Sequence, residues 1–122
     1  MKTLIIDDSR DDLYETKLVL KALNFEYMVA GDGGRGVEMY KANPDIGLVI
    51  MDNQMIEMNG PEAIKLIRQF EKETDRYAKI ILNTSDEESS FNKEEIGFDA
   101  FVQKYRTSLE DAIKNVMMEK NE

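Results

Sequence analysis

The sequence predicts an α/β domain: a five-stranded parallel sheet, doubly wound, with helices on both faces in three layers. Short apolar runs of strand length alternate with segments whose apolar residues recur at helical spacing. Several of the runs are continuously apolar rather than alternating, which marks strands buried on both faces. Parallel strands of that kind are joined by right-handed crossovers, so helices must cover both sides of the sheet.

The first strand is read at Leu4-Ile5-Ile6. Ser9 then caps a helix whose stripe is Leu13, Thr16, Leu20 and Leu23. The second strand, Tyr27-Met28-Val29, is the weakest run, and Val37 and Tyr40 mark the second helix. Leu48-Val49-Ile50-Met51 forms the third strand. The third helix opens at Pro61 and carries Ala63, Leu66, Ile67 and Phe70. After the fourth strand, Ile80-Ile81-Leu82, Ser85 and Glu88 stand in capping-box spacing before a fourth helix within residues 86–96. Ser89, Ser90 and Asn92 make that helix short. Phe101-Val102 forms the fifth strand, and Leu109, Ala112, Ile113, Val116 and Met117 stripe a last helix running almost to Glu122.

The length of 122 residues fits one domain, expected to span 1–122 with no effector domain. The chain has no Cys and no His, which excludes disulfides, thiolate or imidazole ligands and His acid–base catalysis. Any metal must be held by oxygen. The net charge of −9 argues against nucleic-acid binding. No apolar run is long enough for a membrane span or a signal peptide, so a cytoplasmic protein is expected.

In open parallel sheets, sites form beyond the carboxyl ends of the strands. The first strand stops at Asp7-Asp8, the third at Asp52, the fourth at Thr84 and the fifth at Lys104. Crowded carboxylates repel, and a hard divalent cation relieves them; Mg²⁺ suits a few carboxylates and a shared phosphate oxygen. A threonine hydroxyl and a lysine ammonium suit phosphoryl oxygens. Each residue alone has an ordinary explanation as a turn, cap or surface charge, but the set is chemically complementary.

At these residues the chain resembles the receiver domains of bacterial two-component response regulators, the fold of the chemotaxis regulator. The segments that carry the likeness are residues 4–9, 49–55 with Met58-Asn59-Gly60 following, 80–85 and 101–104. The resemblance implies strand order 2-1-3-4-5 and Asp52 as acceptor of a phosphoryl group from a histidine kinase or a histidine phosphotransfer protein. It implies Mg²⁺ held by Asp8 directly, by Asp7 through water, by Asp52 and by the backbone carbonyl of Gln54. Thr84 and Lys104 would bind the phosphoryl oxygens, Phe101 would be an aromatic switch, and Gln54 and Asp86 would tune the phosphate lifetime. The fourth helix, fifth strand and fifth helix would form the face for a downstream target, in a monomer or a phosphorylation-dependent dimer. A switch from 1:99 to 99:1 needs about 5.5 kcal/mol, which two or three new hydrogen bonds to charged groups would supply.

The chain departs from the family pattern in three places. Tyr105 follows Lys104 where a cis proline is usual, and a trans bond is expected because cis before Tyr costs about 2.5–4 kcal/mol. Ile56 replaces a common Pro, and Phe101 lacks the hydroxyl of a frequent Tyr.

Other readings stay open on sequence. A Mg²⁺-dependent phosphohydrolase could use Asp52 as nucleophile, although Gln54 stands where such families carry a second acid. A receiver-like module could bind partners without phosphorylation. Gly31-Asp32-Gly33-Gly34-Arg35-Gly36 satisfies a dinucleotide fingerprint, with Asp52 about twenty residues on, but it follows the weakest strand. A flexible glycine turn into the second helix is the reading preferred there.

Overall fold

The computed structural model describes residues 1–118. In chain order the elements are β1 (Lys2–Ile6), α1 (Arg10–Ala22), β2 (Tyr27–Ala30), α2 (Gly33–Ala42), β3 (Ile46–Met51), α3 (Gly60–Lys72), β4 (Lys79–Thr84), a 3₁₀ turn (Glu88–Ser90), α4 (Lys93–Ile96), β5 (Ala100–Gln103) and α5 (Leu109–Met117). The five strands are parallel and ordered β2-β1-β3-β4-β5. The expected run of the last helix toward Glu122 lies partly outside the described residues.

Strand alternation divides the core in two. Leu4, Ile6, Val49, Met51, Ile80 and Leu82 pack against Val37 and Tyr40 of α2 and Ala63, Ile64 and Ile67 of α3. Ile5, Leu48, Ile50, Ile81 and Val102 face the other way, onto Leu20 of α1 and Ile113 of α5. β1, β3 and β4 are thus buried on both faces, which fixes their register and their ends. Among the described residues no helix is long and apolar enough to cross a membrane.

Helix starts follow local chemistry. The Ser9 side chain accepts from the Asp12 N–H, and Asn59 and Glu62 form a reciprocal capping box with Pro61 at the opening of α3. Leu66, read as part of the α3 stripe, is 42% exposed. The buried arc passes through Ala63, Ile64, Ile67 and Glu71 instead and leaves Leu66 at its border.

The expected Ser85/Glu88 capping box does not form. The 3₁₀ turn has Glu87 at its cap position with no side-chain bond, and helix begins only after Asn92, which accepts from the Glu95 N–H at 3.0 Å. The chain leaving β4 is instead drawn toward the strand ends by Asp86, whose carboxylate accepts from Asn53 and Thr84.

Gly33, Gly34 and Gly36 lie inside α2 rather than in a turn. Asp32 caps the helix by accepting from the Arg35 N–H at 2.7 Å. A Cβ at Gly36 would sit 2.3 Å from Ile6 Cδ1. That glycine lets α2 lie close on β1, which explains it without a ligand.

Candidate functional site

The carboxyl ends of β1, β3, β4 and β5 bring the expected residues onto one rim. Asp7 and Asp52 directly follow β1 and β3, and both are buried. Backbone bonds hold them there: the Asp52 N–H donates to Ile6 O at 2.9 Å and the Asp7 N–H to Ala30 O at 3.1 Å. Behind Asp52 the loop folds back, with the Gly60 N–H donating to Asn53 O at 2.9 Å. A Cβ at Gly60 would stand 2.5 Å from the Asp52 carbonyl oxygen.

Asp7, Asp8 and Asp52 each offer a carboxylate oxygen, all within 4.8 Å of one another, with Asp8 exposed and the other two buried. Oxygen donors alone, at this spacing, fit a hard divalent cation. A cavity of about 250 Å³ opens over the group, lined by Asp8, Asp52, Gln54, Thr84 and Lys104 among others.

Lys104 follows β5, and its N–H donates to Thr84 O at 2.8 Å. Its ammonium donates to Asp12 at 2.8 Å, Asp52 at 3.1 Å and Asp7 at 3.3 Å. Burial opposes the charge on Lys104, but the three acids outweigh it and hold its pKa above the ordinary value. Burial likewise pushes the Asp52 carboxyl up to about 6; the Asp7 charge adds to this, and Lys104 with the Asn53 N–H offsets only part. Asp7 is raised by burial, against the opposing Ser9 N–H and Lys104. Asp12 goes the other way: burial is outweighed by hydrogen bonds from Lys104 and Tyr105, and its pKa is lowered. One ammonium therefore serves a rim that gathers Asp7, Asp8, Asp12 and Asp52.

Thr84 ends β4 with its hydroxyl engaged. It donates to Asp86 Oδ2 at 2.9 Å and accepts from the Asp86 N–H at 3.2 Å. Asp86 also accepts from Asn53 at 2.8 Å and from the Gln54 amide at 3.1 Å. The Gln54 and Asp86 side chains thus touch each other beside Asp52. Phe101 is half-buried, its ring centroid 5.7 Å from Phe91 and 6.1 Å from Phe98.

The Lys104–Tyr105 peptide is trans, as expected, and no cis bond occurs among the described residues. The departure from the family pattern appears instead at Tyr105, which adopts φ +68° and donates its hydroxyl to Asp12 at 2.7 Å. Asp12, Asn53 and Tyr105 are site neighbours that the sequence reading missed. Asp12 stands in the first turn of α1, where an acid is ordinary helix chemistry, and nothing local ties it to a lysine far along the chain.

The model of the response regulator receiver domain family matches residues 3–114. Protein PilH of Pseudomonas aeruginosa is 32% identical over 89 residues, covering 72% of this chain and 71% of PilH. The chemotaxis protein CheY of Treponema pallidum is 36% identical over 100 residues, 78% of this chain and 61% of that protein. Among solved structures, the response regulator TrrA of Thermotoga maritima, in complex with Mg²⁺ and BeF, superposes with TM-score 0.78 at 26% identity, covering 97% of each chain. A match across nearly all of the described chain, on the fold and rim just described, places this protein in the response regulator receiver domain family of two-component signalling.

Proposed function

We propose that Asp52 is the phosphoacceptor of this receiver, taking a phosphoryl group from a sensor histidine kinase or histidine phosphotransfer protein. The observation that supports this best is the buried Asp52 carboxylate, 3.1 Å from Lys104 and in oxygen-donor reach of Asp7 and Asp8. A carboxylate oxygen of Asp52 attacks phosphorus, the P–N bond of the phosphohistidine breaks, and the electron pair leaves with the imidazole. An aspartyl phosphate results. Lys104 meets the charge on the transferred oxygens, and Thr84 donates to one of them once its hydroxyl turns from Asp86.

Mg²⁺ would be held by Asp7, Asp8, Asp52 and the Gln54 carbonyl. When bound, it supplies charge neutralisation at the acids and at the phosphoryl oxygens. The complex of TrrA with Mg²⁺ and BeF supports magnesium as the cation, and the spacing of the three carboxylates supports the acids as its holders.

Thr84 and Lys104 are already bonded before any phosphate arrives, so the switch exchanges partners rather than adding bonds to free donors. The net stabilisation is smaller than a sum of new bonds, which suits modest movements at Thr84 and Phe101. The Gln54 amide, held by Asp86, offers no transferable proton, which favours slow self-dephosphorylation over hydrolase turnover. Output in the cytoplasm would pass through contacts on the α4/β5/α5 face or through onward phosphotransfer, in a monomer or a phosphorylation-dependent dimer.

The test is intact-mass measurement after incubation with acetyl phosphate and Mg²⁺. One added phosphate on the wild type, absent in Asp52→Asn, is the expected result. Continuous release of phosphate over many turnovers would identify a hydrolase instead, and no labelling would leave a phosphorylation-independent binding module.

A further inference from the structure

Of the three acids that hold the Lys104 ammonium, Asp7 and Asp52 also belong to the cluster with Asp8 that can take a cation, and Asp52 carries the reacting oxygen in the reading above. Asp12 belongs to neither. It makes the shortest of the three contacts, at 2.8 Å, and its other oxygen accepts the Tyr105 hydroxyl at 2.7 Å. Tyr105 reaches it from a left-handed φ of +68°, a conformation that side-chain-bearing residues adopt only at a cost.

Packing does not fix the lysine by itself. A cavity of about 230 Å³ lies beside its stem, between α1 and the start of α5, bordered by Thr16, Val102, Tyr105 and Leu109. The ammonium has room to swing into that space, and its three N–H groups are directed instead by the three carboxylates.

We propose that Asp12, oriented by Tyr105, is the positioning residue for Lys104: it keeps the ammonium beside Asp52 when Asp7 and Asp52 turn to a cation and a phosphoryl group. The inference rests on the phosphoacceptor reading, and it adds a fourth acid whose task is to anchor the lysine rather than to bind metal. Asp12 acts through Lys104, so removing the lysine must erase the effect of removing Asp12.

The experiment is a double-mutant cycle on the full chain with Asp12→Asn, Lys104→Ala and the pair. It is read in two ways: by urea unfolding without metal, and by beryllofluoride affinity at saturating Mg²⁺. Asp12→Asn is expected to weaken beryllofluoride binding on the order of fivefold, the effect of losing a charge-assisted hydrogen bond at a partly exposed site. Tyr105→Phe should weaken it less. Neither substitution should change affinity in the Lys104→Ala background, and unfolding should show a favourable Asp12–Lys104 coupling with no metal present. Equal effects of Asp12→Asn with and without the lysine would overturn the proposal, as would tighter binding in Asp12→Asn. A wild type that takes neither beryllofluoride nor phosphate would sink the acceptor reading itself, whereas a wild type that takes both without coupling would sink only the positioning role.

Discussion

At the amino ends of β4 and β5, Arg68 reaches from α3 and donates to Gly97 O, Ala78 O, Glu71 and Asp99 at 2.7–2.8 Å. The same two carboxylates also receive neutral donors: Glu71 from the Tyr40 hydroxyl and the Ala78 N–H, Asp99 from the Tyr77 hydroxyl and the Ile80 N–H. At the opposite end of the sheet, Lys104 is, among the described residues, the one cation shared by Asp7, Asp12 and Asp52, with Asp8 alongside. One end has satisfied its buried charge and works as a clasp. The other is short of positive partners, so its carboxylates are open to a cation or an electrophile. Buried charge alone does not mark a site; buried charge left undercompensated does.

The largest effect should come from breaking the satisfied end. Arg68→Met leaves the Glu71 and Asp99 carboxylates without their cation and takes a donor from two backbone carbonyls, and should cost about 3 kcal/mol or more. Urea unfolding would show this as a lower midpoint at unchanged m value. A loss below 1 kcal/mol would erase the contrast between the two ends.

The opposite sign is expected at the undercompensated end. Asp52 has its folded pKa raised from 3.8 to about 6, so the folded state binds the proton more tightly than the unfolded state, and stability falls as pH rises through that window. Asp52→Asn removes this penalty and should stabilise the metal-free protein by about 2–3 kcal/mol at pH 7.5, with the gain shrinking toward zero near pH 4. Paired urea titrations at the two pH values check it. A gain independent of pH would mean that the ionised carboxylate is not its source.

The smallest effect sharpens the comparison by supplying the missing charge. Mg²⁺ at ten times its dissociation constant should stabilise the wild type by about 1.4 kcal/mol, a rise of a few degrees in melting temperature. Asp8→Asn should lose that rise, whereas Arg68→Met should keep it. Equal shifts in wild type and Asp8→Asn would place the cation elsewhere.

The sequence makes the rim legible because β1, β3 and β4 each carry a continuous apolar run, Leu4–Ile6, Leu48–Met51 and Ile80–Leu82, so the stretch in which each turns polar is conspicuous. Asp7, Asp8 and Asp52 follow those runs directly, Thr84 comes after Asn83, and Lys104 comes after Gln103 at the end of the last short run. Contacts made across long separations leave no such trace. Asp12 is an ordinary first-turn acid until Lys104 meets it, and Asp86 gives no local sign that it will gather Asn53, Gln54 and Thr84. The fourth helix fails for the same reason: its cap signal is outcompeted by the Asp86 contacts, and Asn92 starts the helix later. Tyr105 is unreadable because a left-handed φ runs against the local preference of a bulky residue, so nothing in the sequence announces it.

Gly60 has no side chain to contribute, yet it sits against the carbonyl of the residue that would carry the phosphoryl group. Because it also begins α3, any tilt of that helix presses on the backbone of Asp52, and any lifting of Asp52 presses on the helix. Asp52 and the mass of α3 are therefore mechanically geared through bare main chain, with no side chain between them at Gly60 to absorb the motion.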